Sequence, residues 1–272
     1  MDNFSSILLG VIQGLTEFLP VSSSGHLVIF QKFLNINESE ILFDVTLHMG
    51  TLLAVLIFFR NDLKKMIGEI FDYLSGCLHK KETLTSIKEK PHAMLALWVI
   101  IGTIPTGIIG LTFQHQLESM FNEPRRAAWM LIITGIILAI TKILPAGYTK
   151  RSKVGFITAL AVGTAQGIAV TPGISRSGST IVCGMIFGMD RELAGRFSFL
   201  LSIPAIMGAM VLQLASKDLG SINFIPMIIG FASAAIIGFL ALKILMAMVK
   251  KGNLSWFAPY CWAIGLWVIF FI

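Results

Sequence analysis

Two short polar stretches interrupt an otherwise apolar chain, and both carry side chains that could do chemistry. The first runs from Gly10 to His26 and holds Gln13, Glu17, Pro20, Ser22, Ser23, Ser24 and His26. Gln13 and Glu17 are four residues apart, so on a helix they share a face. A carboxylate in apolar surroundings is costly and marks a candidate functional group; the plainer alternative is a glutamate bonded to loop amides. Serines before a helix cap its free N–H groups, but three are more than capping needs. His26 follows Ser23 by three residues, within one helical turn, and the two could form a nucleophile–base pair. The plainer alternative there is a histidine bonded to a backbone carbonyl.

The second stretch, Gly163 to Thr180, echoes the first. Gly10-x-x-Gln13-Gly14 matches Gly163-x-x-Gln166-Gly167, and nine residues after each glutamine comes Ser-x-Ser-Gly: Ser22 to Gly25, then Ser175 to Gly178. Gly173 lets backbone approach a ligand closely. Consecutive amides at a helix start favour an anion. Arg176 adds a planar cation suited to phosphate oxygens, and Ser175, Ser177, Ser179 and Thr180 add hydroxyls. A capped loop whose arginine pairs only with Glu17 is the alternative. Asp44 and His48, four apart, either line the same cavity or satisfy each other within one helix. The whole set suits phosphoryl transfer, in which positioning and charge stabilisation dominate. A phosphate cradle is not, on these residues alone, specific to one family.

The elements that must position these groups are apolar helices. Of 272 residues 55% are apolar and only 13% charged, with mean hydropathy +0.81, whereas a soluble domain carries nearer a quarter charged. The chain is read as an all-α integral membrane protein. Phe4–Phe18 would span only ~22 Å as helix, short of a ~30 Å hydrocarbon core. Pro20 disfavours helix at Leu19, and Gly25–Leu34 returns. Such a broken backbone is tolerated only within protein or a wet cavity. Val154–Val170 and Ser179–Met189 form a second hairpin around the loop 171–178. Full spans are expected at Ile41–Phe59, Ala93–Phe113, Ala127–Leu144, Phe197–Ser216, Asn223–Val249 and Leu254–Ile272, with Pro105 and Pro204 as kinks and Trp256, Tyr260 and Trp262 near an interface. Arg60–His92 is read as a charged loop with an amphipathic helix near Leu63–Leu78, and Gln114–Arg126 as a polar loop.

Sixteen of the twenty-one lysines and arginines then fall on one side, assigned as cytoplasmic; Lys32, Arg125, Arg126 and Lys217 fall on the other. One hairpin enters from each side, so the halves are an inverted-topology repeat, about 1–145 and 154–272, in a single domain spanning 1–272. Phe43-x4-His48 lines up with Phe197-x4-Ser202 in support. The net charge of +6 is accounted for by these loops, and no aromatic-basic platform suggests nucleic acid. Cys77, Cys183 and Cys261 are far apart, without the spacing of a zinc or redox pair. No basic residue precedes Lys32, so no cleavable leader is expected.

At the two loops the chain resembles the undecaprenyl-diphosphatase family of the bacitracin-resistance type. The resemblance is carried by Gln13-x-x-x-Glu17, by Pro20-Val21-Ser22-Ser23-Ser24-Gly25-His26, and by Pro172-Gly173-Ile174-Ser175-Arg176-Ser177-Gly178-Ser179-Thr180, and it covers essentially the whole length. It implies hydrolysis of undecaprenyl diphosphate to undecaprenyl phosphate and inorganic phosphate, recycling a cell-wall lipid carrier. It implies a bacterial inner membrane, a site open to the extracytoplasmic side and a divalent cation, Mg or Ca, with Glu17 and Gln13 as candidate ligands. Glu17, Ser23, His26, Ser175, Arg176 and Thr180 match the family's functional positions. Gln13 stands where many members have glutamate, which argues against an obligatory acid or base there. The expected mechanism has Arg176, the loop amides and Thr180 holding the terminal phosphate. Ser23 attacks and His26 takes its proton; a competing assignment makes His26 the nucleophile. The partners implied are the lipid diphosphate and membrane lipid, with a second copy of the chain as a candidate. A lipid-phosphate transporter is the alternative from a different class, since inverted repeats with broken helices are a transporter architecture.

Overall fold

The structure is a computed structural model, and residues 2–33, 41–78, 86–120, 123–144, 148, 150–216 and 224–271 are described. In chain order the helices are α1 (Asn3–Phe18), α2 (Ser23–Phe33), α3 (Ile41–Phe58), α4 (Arg60–Leu78), α5 (Pro91–Thr112), α6 (Gln114–Met120), α7 (Pro124–Ile140), α8 (Phe156–Ile168), α9 (Arg176–Ile186), α10 (Arg191–Ser216), α11 (Phe224–Lys251) and α12 (Ala258–Phe271). A 3-10 turn, Leu254–Phe257, leads into α12. Starts follow local chemistry: the Asp2 carboxylate accepts from the Ser5 N–H, Pro91 and Pro124 occupy first positions, and Ser175 caps α9. Among the described residues there is no β-strand, only an isolated bridge between Arg151 and Met189.

Four helices are long and apolar enough to cross a membrane: α5, α10, α11 and Leu254–Phe271. A fifth candidate pairs α3 with α4, bent by 72°. Six spans were expected; α7, with 17 residues, is ~26 Å long at 1.5 Å per residue, and α12 reaches 18 residues only with the 3-10 turn before it. The amphipathic helix expected near Leu63–Leu78 is present and starts at Arg60, and one expected loop is more ordered than read. The stretch read as the loop Gln114–Arg126 contains α6 and the first turn of α7, which Pro124 starts. Pro105 and Pro204 both lie inside continuous helices. Of the basic residues that set the expected orientation, Lys80, Lys81 and Lys217 lie outside the described residues, as do the expected limits at Leu34, Ala146, Asn223 and Ile272.

Each short helix packs on a long helix of the other half. α1 lies along α11 with Gly10 against Gly230 and Gly14 against Ala234 and Gly238. α8 lies along α5 with Gly163 against Gly102 and Gly167 against Ile109. In both pairs the contact numbers rise together, so the helices run parallel. Lipid tails are as apolar as leucine, so close van der Waals approach of small residues, not hydrophobic transfer, holds such seams. The larger core lies beside the loops. Phe18, fully buried, meets Phe199 edge-on at 5.8 Å between centroids, and Phe59 stacks on Phe199.

One end of the bundle gathers the ionic ties. Arg196 of α10 pairs with Asp62 of α4, and Lys250 of α11 with Glu192 of α10 at 2.8 Å. Glu69 of α4 caps α5, accepting from the N–H groups of His92 at 2.7 Å and Ala93 at 2.9 Å and meeting His92 Nδ1 at 2.6 Å. Those helix ends are where the basic loops were expected to cluster.

Candidate active site

Glu17 stands in the last turn of α1, only 7% exposed. The chain then turns tightly, with Val21 N–H donating to the Leu19 carbonyl at 2.7 Å. Ser22 sits in the left-handed region at φ 67°, unusual for a residue with a Cβ. That turn points its carbonyl back along α2, where the His26 N–H meets it at 3.2 Å and His26 Nδ1 at 2.8 Å. The Ser22 hydroxyl accepts from the Gly25 N–H at 3.3 Å and lies 3.3 Å from that of Ser24.

The second loop is built in parallel. Gly173 has φ 92°, and a Cβ there would run into the Ala127 carbonyl of α7. Thr134 of α7 braces the loop twice: its hydroxyl donates to the Gly173 carbonyl at 2.8 Å and accepts from the Ser175 N–H at 2.9 Å. Ser175 Oγ accepts from the Gly178 N–H at 3.1 Å and touches Ser177 Oγ at 3.3 Å.

The two tips meet. A Cβ on Gly25 would lie 3.1 Å from Gly173 Cα, and one on Gly178 3.2 Å from Pro20 Cβ. The side chains converge on the Glu17 carboxylate. Oε1 pairs with Arg176. Oε2 accepts from Ser23 Oγ at 2.6 Å and from Gln13 Nε2 at 3.1 Å, with His48 Nε2 at 3.9 Å. Ser23 and Arg176 therefore share one carboxylate, well inside the ~12 Å that near-attack geometry through one phosphate allows. Two polar atoms here are buried without partners, Gln13 Oε1 and Arg176 NH1. Buried polar groups are nearly always satisfied, so an open acceptor and an open donor beside this carboxylate mark a place for a ligand.

Several expected residues stand differently from their expected roles. Ser23 and His26 are not hydrogen-bonded partners. Ser23 donates to Glu17, and both His26 ring nitrogens are engaged elsewhere: Nδ1 with Ser22 O, Nε2 with the Tyr260 hydroxyl at 2.9 Å. The cause is local helix geometry: the ring reaches the carbonyl one turn back, as His48 does with Asp44 O. Asp44 and His48 do not satisfy each other through their side chains. His48 Nδ1 meets the Asp44 backbone carbonyl at 2.8 Å, and the Asp44 carboxylate accepts from Gln31 Nε2 at 3.0 Å, tying α3 to α2. The fully buried Thr180 hydroxyl lies 2.8 Å from the Arg176 carbonyl and 2.5 Å from Ser198 Oγ of α10. Gln166, the echo of Gln13, bonds Thr106 and the Leu201 carbonyl away from Glu17. Thr134, Ser198 and Tyr260 were missed as supports of the site. No local spacing reveals them, since each reaches its partner across the fold.

The chain matches the family model described as bacitracin resistance protein BacA over residues 6–267. It is 47% identical to the undecaprenyl-diphosphatase of Desulfatibacillum aliphaticivorans, over 97% of this chain and 96% of the relative. It is 41% identical to the undecaprenyl-diphosphatase of Carboxydothermus hydrogenoformans, over 99% and 97%, and 43% identical to that of Methanobrevibacter smithii, over 98% and 96%.

Proposed function

The chain belongs to the BacA family, and from that membership we propose that the carboxylate shared by its two loops is the centre of its phosphatase chemistry. The protein hydrolyses undecaprenyl diphosphate to undecaprenyl phosphate and inorganic phosphate, an activity that fits cell-wall lipid recycling and bacitracin resistance. The observation that carries the site is Ser23 Oγ donating to a buried carboxylate that also holds Arg176. A carrier needs no such hydroxyl, and nothing in the geometry favours transport.

The open NH1 of Arg176 and the first amides of α9 take oxygens of the terminal phosphate, drawing the guanidinium from Glu17. Glu17 then accepts the Ser23 proton as Oγ bonds to phosphorus and the bridging P–O bond breaks. Undecaprenyl phosphate leaves and carries off that proton. Water next attacks the phosphoserine and gives its proton to Glu17; the Oγ–P bond breaks, Glu17 returns the proton to Ser23 Oγ, and inorganic phosphate departs. The base beside Ser23 is thus Glu17 rather than His26, whose ring holds the Ser22 turn instead.

A divalent cation fits this site as a proposal. Gln13 Oε1, a buried carbonyl oxygen without a partner, and the Glu17 carboxylate are hard oxygen donors, and Mg²⁺ typically takes one or two protein oxygens plus water and phosphate. Among the described residues no cluster of three or more His, Cys, Asp or Glu could hold an ion unaided. When bound, it would neutralise charge on the diphosphate.

The proposed topology is six spans with two re-entrant hairpins, of which four to five spans are long and apolar enough by length and composition. α1 runs parallel to α11, so it starts from the end opposite Lys250 and Lys251. α8 runs parallel to α5, which starts at the ionic end. The tips meet between, and the ionic end is assigned to the cytoplasm of a bacterial inner membrane. The site then opens outward beside α1.

The test is phosphate release from detergent-purified protein, with cation titration and rapid-quench trapping of labelled substrate. An acid-stable label on Ser23, lost in Ser23→Ala, is expected. Acid-labile label on His26 would overturn the assignment.

A further inference from the structure

We propose that Tyr260 is a positioning residue for hydrolysis: it fixes the ring of His26, and through that ring the turn that aims Ser23 at Glu17. The inference rests on the reading of Ser23 as nucleophile. A carbonyl oxygen can only accept, so the contact with Ser22 O at 2.8 Å puts the ring proton on Nδ1. Nε2 is then an acceptor, and the Tyr260 hydroxyl at 2.9 Å supplies its proton. The two rings lie nearly parallel, 5° apart with centroids at 5.7 Å, which fixes the imidazole plane.

The tautomer matters because of Ser22. Its φ of 67° is sparsely populated for a residue with a side chain, and such backbone persists only where its surroundings hold it. The Nδ1–H bond is one of those holds. In the other tautomer Nδ1 would face the Ser22 carbonyl lone pair to lone pair. That repulsion would release the turn, and Ser23 is the next residue. The Ser22 carbonyl, which only accepts, selects the tautomer, and the Tyr260 hydroxyl holds Nε2 so that Nδ1 stays on that carbonyl.

α12 is placed to act as the brace. The neighbouring Cys261 Sγ lies 3.7 Å from the Pro20 carbonyl, so consecutive residues of one helix hold the first loop at two points. α12 is itself seated on α7, where Trp262 Nε1 donates to the Ile132 carbonyl at 3.2 Å and Gly265 approaches Ala128. No polar contact joins Tyr260 to Glu17, Gln13 or Arg176 among the described residues, so its influence on the reaction passes through His26.

The experiment uses full-length protein in detergent with undecaprenyl diphosphate. Tyr260→Phe keeps the ring and removes one oxygen. We expect kcat to fall about tenfold to hundredfold, with KM within about threefold, as for a misplaced reacting group. His26→Ala should give a similar fall, and Tyr260→Phe combined with His26→Ala should fall no further, because one acts through the other. Nitrogen-15 spectra of labelled histidine should show His26 as one tautomer, protonated on Nδ1, in the wild type, with its ring signals shifted and broadened in Tyr260→Phe as the ring loses its anchor. A raised KM with kcat intact would make Tyr260 a substrate ligand and overturn the proposal. So would fold-changes that multiply in the double variant, or a mixed tautomer already present in the wild type, a readout that needs no variant to fold. If Ser23→Ala retained turnover, the nucleophile would be misassigned, while the spectra would still decide whether Tyr260 holds His26.

Discussion

Removing Arg176 should separate what the ion pair does for the fold from what it does for the reaction. One guanidinium nitrogen is held by Glu17 and the other, NH1, is buried and open. In the substrate complex both can take phosphate oxygens, making two charge-assisted bonds of about 1.5–3 kcal/mol each. Arg176→Ala should therefore cost about 3–6 kcal/mol of transition-state stabilisation, roughly 10²- to 10⁴-fold in kcat/KM. It also strands Glu17, whose side chain is 5% exposed, with only Ser23, Gln13 and His48 near it. Breaking a buried pair on one side costs about 3–5 kcal/mol, so the melting temperature in detergent should fall as well. Replacing the partner too, Glu17→Gln with Arg176→Ala, removes the stranded charge and should recover most of the melting temperature but none of the turnover. Arg176→Lys keeps the charge without the planar fork and should fall between. The assay is phosphate release across a substrate series, paired with thermal unfolding of the same preparations. Arg176→Ala within tenfold of wild type in kcat/KM, or turnover restored in the double variant, would refute the clamp.

Other expectations follow from single contacts. Gly173→Ala meets both a φ of 92° and the Ala127 carbonyl, so it should destabilise by at least ~1–2 kcal/mol and lower turnover, read by thermal unfolding and phosphate release. His48→Ala removes a ring nitrogen 3.9 Å from Glu17 on a side chain 33% exposed, so kcat/KM should fall only about three- to tenfold, near 1 kcal/mol; a thousandfold loss would make His48 part of the chemistry. Glu69 lies on the charged amphipathic helix α4, at the ionic end of the bundle where α5 starts. Burial alone would raise its carboxyl, but the Ala93 N–H, the His92 ring and the His92 N–H outweigh it and hold the group below the ordinary carboxylate range. A depressed carboxylate stabilises the fold above its unfolded value and loses that contribution as pH falls through the folded one. Glu69→Gln should thus cost about 1–2 kcal/mol at neutral pH, and the difference should shrink as pH falls below the unfolded carboxyl's value of about 4.3 and vanish only once the folded group is protonated too; a constant difference between the two melting curves would contradict the cap.

Most of the site was legible because its chemistry is local. Gln13 and Glu17 are one helical turn apart, Ser23 and Arg176 each open a returning helix, and the echo between the loops predicted that they face each other. What stayed hidden depends on backbone sign or on distance along the chain. A serine at φ 67° carries no mark, since glycine or asparagine would be the ordinary signal for that conformation. Ser23 and His26 also read as a pair, whereas the ring bonds the carbonyl one helical turn back. Thr134, Ser198 and Tyr260 each lie in apolar helices and look like isolated polar residues. Their partners sit 39, 18 and 234 positions away. α6 was read as loop because its seven residues, QHQLESM, lack an apolar stripe.

The repeat explains why neither loop could work alone. By the offset that matches Gln13 to Gln166, Glu17 corresponds to Val170 and Ser23 to Arg176. The second half therefore supplies no carboxylate, and the residue that opens its returning helix is a cation where the first half has a hydroxyl. On the proposed roles the two matching positions serve as nucleophile and clamp, and both side chains reach the Glu17 carboxylate. The supports cross in the same way. The first loop is held by α12, through Cys261 and Tyr260, and the second by α7, through Thr134. α7 and α12 pack on each other, so a shift of either brace would move both loop tips relative to Glu17. On this geometry, substitutions at the α7–α12 seam far from phosphate, such as Gly265→Leu against Ala128, should lower kcat through both loops at once. Such a variant should also depress the separate effects of Ser23→Ala and Arg176→Ala, because the two groups would no longer meet on one carboxylate.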